Sequence, residues 1–415
     1  MRNIVKKIVL ILFCVMLSAC FVTYGTISAE AKSTTFTKNG LVYAMLGKDE
    51  TGQRIASIIG IDENAGSDMI KNIKIYSVIR NNRKDFNIIG IESLSFAGCS
   101  GIESIEFEDG IESVGVSAFY KCENLCSVII PASLTDIGSH CFAGCTNLKN
   151  IVVSEENKKY TAEDGVLYSK KFKKIISAPA VSGDYTIKKG VETVGAGAFD
   201  SNTLLTGITF PSTIRKVEES AFYNCSNLTK ADLKKTEYIG RESFAGSELT
   251  EVTIPATTVT VKGNPFMFCD KLTKISVSKK NVKFKSSNGI LLNASGEKII
   301  SASSATEETV IPSGVKVIGE FAFAGNTRIN NLVLPAKIEK ICEGAFCYCT
   351  SLKKVRFSSR KTNLDVAIDE KYGVFFNTVY DLIVEVPYSD KGFEKGSLEE
   401  SIKVNSPAGV DITTY

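Results

Sequence analysis

Nine phenylalanines fall on one ruler. Phe96, Phe119, Phe142, Phe199, Phe222, Phe244, Phe266, Phe323 and Phe346 are separated by 23, 23, 57, 23, 22, 22, 57 and 23 residues. The flanks repeat with them. Five residues before each Phe stands Val or Ile (Ile91, Val114, Ile137, Val194, Val217, Ile239, Val261, Ile318, Ile341). Nine residues after it, or eight in the sixth repeat, comes an apolar residue such as Ile105, Val128 or Val355, with another two positions on. Alternation of period two marks a short strand with one buried side. One strand per repeat is therefore expected, closed where Pro131, Pro211, Pro255 and Pro335 remove the next N–H. In Gly-x-x-Ala-Phe-x-x-Cys, the spacing of three between Phe and Cys suggests one tight helical turn folding inward.

A 23-residue unit with one strand cannot bury its own apolar face, so neighbouring units must stack. The expected fold is a mostly β solenoid: a right-handed coil with a parallel concave sheet, its strands about 4.8 Å apart. The two 57-residue intervals match each other at a shift of 124, Gly165-Val166-Leu167-Tyr168 with Gly289-Ile290-Leu291-Leu292 and Ile175-Ile176 with Ile299-Ile300. In each, two apolar runs flank a polar stretch, which predicts a hairpin projecting from the coil. Tyr185-Thr186-Ile187 and Val310-Ile311-Pro312 then restart the ordinary strand. The chain thus divides into an N-terminal β cap (32–87), a solenoid of about twelve rungs (88–387, inserts about 154–187 and 278–311) and a C-terminal cap or tail (388–415). From Phe357 onward the repeat is degenerate, marked by Phe376, Leu382, Ile383, Val384 and Pro387.

The pattern Ile-Gly-x-x-Ala-Phe-x-x-Cys-x-x-Leu-x-x-Ile, present in part at Ile137, Gly138, Phe142, Cys145, Leu148 and Ile151, resembles the BspA-type leucine-rich repeat family. So does the interrupting Asp164-Gly165-Val166-Leu167-Tyr168-Ser169-Lys170 element. The resemblance covers about 88–387. It implies a leucine-rich repeat solenoid on a bacterial surface or secreted, often an adhesin for host matrix or other cells, and carries no catalytic residues.

Residues 1–31 read as a secretory signal, with Lys6 and Lys7 before an apolar run from Ile8 to Val22. Two exits compete. Leu17-Ser18-Ala19-Cys20 resembles a lipobox, which would make Cys20 the lipidation site and the chain's one link to a membrane. Ala29-Glu30-Ala31 offers release, which the apolar residues after Cys20 favour. Loss of the signal takes the formal charge from +3 to +1, against a nucleic-acid partner.

Chemistry-bearing residues are sparse. With one histidine and no tryptophan, neither a triad nor a zinc site is expected: His140, Cys141 and Cys145, or Cys347 and Cys349, lack paired zinc spacing. His140 reads as a surface residue and no cofactor is expected. Twelve cysteines suggest disulfides, yet Cys99, Cys122, Cys145, Cys225, Cys269 and Cys349 share one repeat position, where side chains point the same way and cannot converge. They read as reduced core thiols, while Cys126, Cys141, Cys342 and Cys347 leave room for one bridge. What remains is the outward strand column: Glu106, Ile129, Val152, Thr209, Asp232, Thr253, Ser276, Val333 and Arg356, with Lys354 beside it. It begins acidic (Glu103, Glu106, Glu108) and ends basic (Lys353, Lys354, Arg356). This face is the expected site for a protein or glycan ligand, the chain being a binding protein and not an enzyme. A structural envelope component without a host ligand is the alternative reading.

Overall fold

The computed structural model describes residues 35–365, 372–379, 381–388, 397–406 and 410–415. The signal reading and Cys20 lie outside them. The chain is a solenoid, mostly β, with two short helices among the described residues, Ser67–Lys71 and Leu398–Val404.

Each coil has three hydrogen-bonded sides, and this corrects the expectation of one strand per repeat. The first side is the long ladder: Asn72–Ile75, Ser104–Phe107, Ser127–Ile130 and Asn150–Val153 pair parallel and in register. Their alternate residues are buried. The second is a ladder of two-residue strands such as Ser113–Val114 and Asp136–Ile137, which hold the Val/Ile five before each Phe. Two residues cannot display a period, so the sequence shows only their buried member. The third is the Phe segment, which forms turns and no helix. Its N–H groups alternate between an i→i+3 bond within the coil (Tyr120 to Ser117, 3.1 Å) and a bond to the next coil (Phe119 to Cys141, 2.9 Å; Lys121 to Ala143, 2.8 Å). Lateral bonding to the neighbour replaces continuation of a helix.

The phenylalanines stack in the interior, but in three runs. Ring centroids lie 5.0 and 5.6 Å apart along Phe96, Phe119 and Phe142, and 4.8, 5.1 and 6.0 Å along Phe199, Phe222, Phe244 and Phe266. The third run is Phe323, Phe346 and Phe375, at 5.0 and 5.3 Å. The tail repeat is therefore centred on Phe375, which is fully buried, while Phe376 is 41% exposed. Each apolar core ends where the stack breaks.

The breaks are the inserts, and they do not project. Tyr160–Glu163, Val166–Ser169 and Lys174–Ser177 form an antiparallel meander whose last strand pairs parallel with Thr193–Val194 of the short ladder. Phe284–Ser287, Ile290–Asn293 and Lys298–Ser301 repeat this against Val317–Ile318. The middle strand is buried on both faces: Leu167 enters the first core while Val166 and Tyr168 enter the second. Leu291 and its neighbours Ile290 and Leu292 likewise divide between the second and third. A strand covered on both sides should be apolar throughout, as Val166-Leu167-Tyr168 and Ile290-Leu291-Leu292 are. These strands are bulkheads across the solenoid. After the first insert the long ladder resumes with Gly183–Thr186, but Val310-Ile311-Pro312 forms no strand, correcting that expectation.

At the N-terminal end, Thr35–Lys38, Leu41–Lys48 and Arg54–Ile61 form an antiparallel sheet that joins the short ladder through Lys84–Ile91. The long ladder's first rung is Asn72–Ile75. At the other end Asp411–Thr414 adds a last parallel rung to Ile383–Val386.

Candidate ligand-binding face

The outward column divides among four separate ladders. Register places Lys74, Glu106, Ile129 and Val152 side by side in the first. Thr209 pairs with Asp232 in the second and Thr253 with Ser276 in the third. Val333, Arg356, Glu385 and Thr413 line the fourth, with Lys354 two residues from Arg356 on the same side. The structure thus brings together Glu106, Ile129 and Val152, and separately Val333, Lys354 and Arg356.

The charge gradient expected along this column is largely cancelled by neighbours. Lys74 Nζ lies 2.8 Å from Glu106, and Lys71 Nζ 3.1 Å from Glu103. Glu108 accepts from the backbone N–H and hydroxyl of Ser77 (2.8 and 2.9 Å), which hold its carboxyl below the usual range. At the far end Glu385 takes Lys354 (2.6 Å) and Arg356 (3.8 Å), and Arg356 lies 3.7 Å over the Tyr415 ring. Lys74 and Glu385 escaped the sequence reading because one lay in the presumed cap and the other in the degenerate tail. Uncompensated aliphatic surface is what stands out: Ile129 (43% exposed) beside Val152 (47%), and Val333 (60%).

All ten cysteines outside the signal are free thiols. In the shared column the thiols of Cys122, Cys145, Cys225, Cys269 and Cys349 each donate to the Phe carbonyl oxygen of the preceding coil, at 3.0–3.2 Å. A thiol here is a weak donor filling a small apolar site. Cys126 is exposed and bonds the Glu103 carbonyl at 3.1 Å.

His140 is not a surface residue. Half-buried, its ring lies over Gly197, where any Cβ would collide with it. Burial pushes its pKa down to about 4, so it is neutral at pH 7. Cys141 points instead into the first core, and burial raises its thiol, so the pair forms no thiolate–imidazolium couple. Among the described residues no three His, Cys, Asp or Glu side chains converge on a metal position. No helix among them is long and apolar enough to cross a membrane.

Sequence reasoning missed the buried acids of the turn side. Asp200, which accepts from the Ser201 hydroxyl at 2.8 Å, is pushed up to about 7 by burial. Glu242 is pushed up to about 8, again by burial, with Oε1 lacking a hydrogen-bond partner. Both sit at turn positions flanking a Phe, one residue after Phe199 and two before Phe244, where most repeats carry small or apolar residues.

The fold resembles solved leucine-rich repeat structures at low identity. A leucine rich cell surface protein from Faecalibacterium prausnitzii is 19% identical, over 92% of this chain and 94% of that one, with a TM-score of 0.43. The pneumococcal vaccine antigen PcpA is 17% identical over 92% and 98% (TM-score 0.40), and a leucine-rich repeat protein from Bacteroides ovatus 21% over 92% and 99% (TM-score 0.37). No curated protein sequence matches the chain. The BspA type leucine rich repeat region matches residues 71–182, 182–288 and 296–368, which take in the first bulkhead and the rungs as far as Lys354–Phe357. Over half its length is accounted for in this way, and the chain belongs to the BspA-type leucine-rich repeat family.

Proposed function

We propose that this chain is a bacterial surface or secreted recognition protein that adheres to a protein or glycan surface through the outward face of its long ladder. Its family typically provides surface or secreted recognition modules without enzymatic activity. The secretory signal read in residues 1–31 fits that placement, with Cys20 as the anchor if the lipobox is used. The observation that carries the reading is the exposed Ile129 and Val152 pair, flanked by charges already neutralised within the ladder. Such a surface gains affinity from shallow apolar contact over many rungs, not from a deep pocket.

The test is a binding screen of residues 32–415 against matrix proteins, mucins and bacterial surfaces, repeated with Ile129→Asp/Val152→Asp. The expected result is binding by the parent chain and at least a tenfold loss in the variant. Undiminished binding by a folded variant would move the site elsewhere. Reversing Lys354 and Arg356 should matter less, since Glu385 already offsets them.

A further inference from the structure

Two hairpin tips meet at the N-terminal end. One joins Thr35–Lys38 to Leu41–Lys48 through Asn39-Gly40, the other Val78–Asn81 to Lys84–Ile91 through Asn82-Arg83. All four turn residues have positive φ: 52° and 75° in the first, 47° and 62° in the second. Two-residue turns of this hand match the twist of paired strands, and their second position favours glycine. The first hairpin has that glycine. The second places an arginine in a conformation that L side chains resist. Arg83 stands at an open groove of about 680 Å³, lined also by Lys38, Asn39, Tyr76, Arg80 and Asn82.

Among the described residues no carboxylate lines this groove. Arg80 meets Asp85 at 3.7 Å across its own hairpin, with both side chains largely in solvent. Among the described residues neither Lys38 nor Arg83 has an acidic partner. This is the reverse of the ladder face, where Glu106, Lys354 and Arg356 are all paired. Three cations around one concavity, in a chain whose overall charge is close to balanced, focus a positive field where a ligand would sit. The remaining groups are not those of a simple anion trap. Asn39 and Asn82 bring amides that donate to and accept from hydroxyls, and Tyr76 is 40% exposed, offering an apolar ring. The volume suits a small ligand of a few rings.

We propose that this groove binds a short acidic oligosaccharide, its carboxylate or sulfate held by Arg83 and Lys38 and a sugar ring laid against Tyr76. Arginine's planar fork suits such oxyanions. The site adjoins the ladder's first rung, where Lys74 Nζ lies 5.9 Å over the Tyr76 ring, but its charged groups Arg83 and Lys38 stand off the ladder, away from Ile129 and Val152.

The test is calorimetric titration of residues 32–415 with four probes: hyaluronan hexasaccharide, chondroitin sulfate hexasaccharide, neutral chitohexaose and a hexa-aspartate peptide. At least one acidic sugar is expected to bind, with chitohexaose and the peptide at least tenfold weaker. Arg83→Gly should weaken that binding at least tenfold while raising the unfolding temperature, because glycine suits the turn; Tyr76→Ala should weaken it as well. Ile129→Asp/Val152→Asp should bind the sugar as the parent does, which separates this site from the ladder face. Failure of both acidic sugars to bind, equal affinity for chitohexaose or hexa-aspartate, or undiminished affinity in Arg83→Gly would each overturn the proposal.

Discussion

The junction between two ordinary coils and the junction across an insert use the same repeat position for different chemistry. Three residues after the Phe, an ordinary coil carries Cys, or Ser247 after Phe244, and the thiol meets one carbonyl of the coil before, as Cys349 meets Phe323 at 3.1 Å. Across the inserts the residue is Asn. Asn202 Nδ2 donates to the Ala178 and Val181 carbonyls (3.3 and 2.8 Å), and Asn326 Nδ2 to those of Ala302 and Ala305 (3.2 and 2.9 Å). Their Oδ1 atoms accept from Leu204 and Arg328 N–H groups. The start of each insert is clamped in the same manner, by Asn157 on Pro131 and Leu134 and by Asn281 on Pro255 and Thr258. Opposite the position three after the Phe, an ordinary coil leaves one buried acceptor, the Phe carbonyl, and the end of a meander leaves two. The side chain at the junction is thus set by what the previous segment leaves unpaired, since a buried carbonyl without a donor is costly. Glycines under rings do not divide in this way: Gly325 lies under Phe268 and Gly197 under His140 across the inserts, but Gly344 lies under Phe321 between ordinary coils.

If the inserts are bulkheads, damage there should exceed damage at an ordinary rung surface. Leu167→Ala, which empties a side chain buried between two cores, is expected to cost about 2–5 kcal/mol in urea unfolding, and Leu291→Ala the same. A loss below about 1 kcal/mol would mean that the strand does not partition the core. Asn326→Ala strands two carbonyls and should cost about 2–3 kcal/mol, whereas Cys349→Ala removes one weak donor and should cost about 1 kcal/mol. Equal losses would erase the distinction between the two junctions.

The buried acids of the turn side sharpen the comparison through pH. Burial raises the folded pKa of Asp200 to about 7 and of Glu242 to about 8, above unfolded carboxylate values. Between roughly pH 4 and 8 the folded chain therefore binds more protons than the unfolded one. The stability these two acids contribute should be full at pH 4 and fall as pH rises to 8. Glu242→Gln should raise stability by about 1–2 kcal/mol at pH 8 and leave it unchanged at pH 4, measured by urea midpoints. A gain of equal size at both values would assign the effect to packing. The smallest effect expected is at the thiols: in the native chain Cys126 should react with a thiol reagent well before the column cysteines, which are buried apart from half-buried Cys99.

The repeat was legible because packing imposes it. Phe, the Val/Ile five before it and the paired strand residues each fill one interior position, so periodicity transmits directly to structure. The three-sided coil was not legible, because a strand of two residues has no period and a turn that bonds sideways uses backbone groups that no residue type announces. The meanders were half legible. Asp164-Gly165 and Asn288-Gly289, with φ of 51° and 73°, 50° and 76°, are the tight turns of hairpins, and this dipeptide signal marks the strand pair that the apolar runs alone misplaced. Phe375 and Phe376 are adjacent aromatics, and only the register of the turn ladder, with Phe346 N–H bonded to the Val374 carbonyl, selects the first. The ladder face was found by alternation, but its ion pairs join residues 29 to 32 apart across neighbouring coils, a distance at which sequence shows no pairing.

Hydrogen exchange followed by mass spectrometry reads the central point directly. If Val166–Ser169 and Ile290–Asn293 close off adjoining cores, their amides should exchange as slowly as those of Ser127–Ile130 in the long ladder. Exchange within seconds, as for a hairpin standing free in solvent, would contradict a solenoid divided by its own inserts.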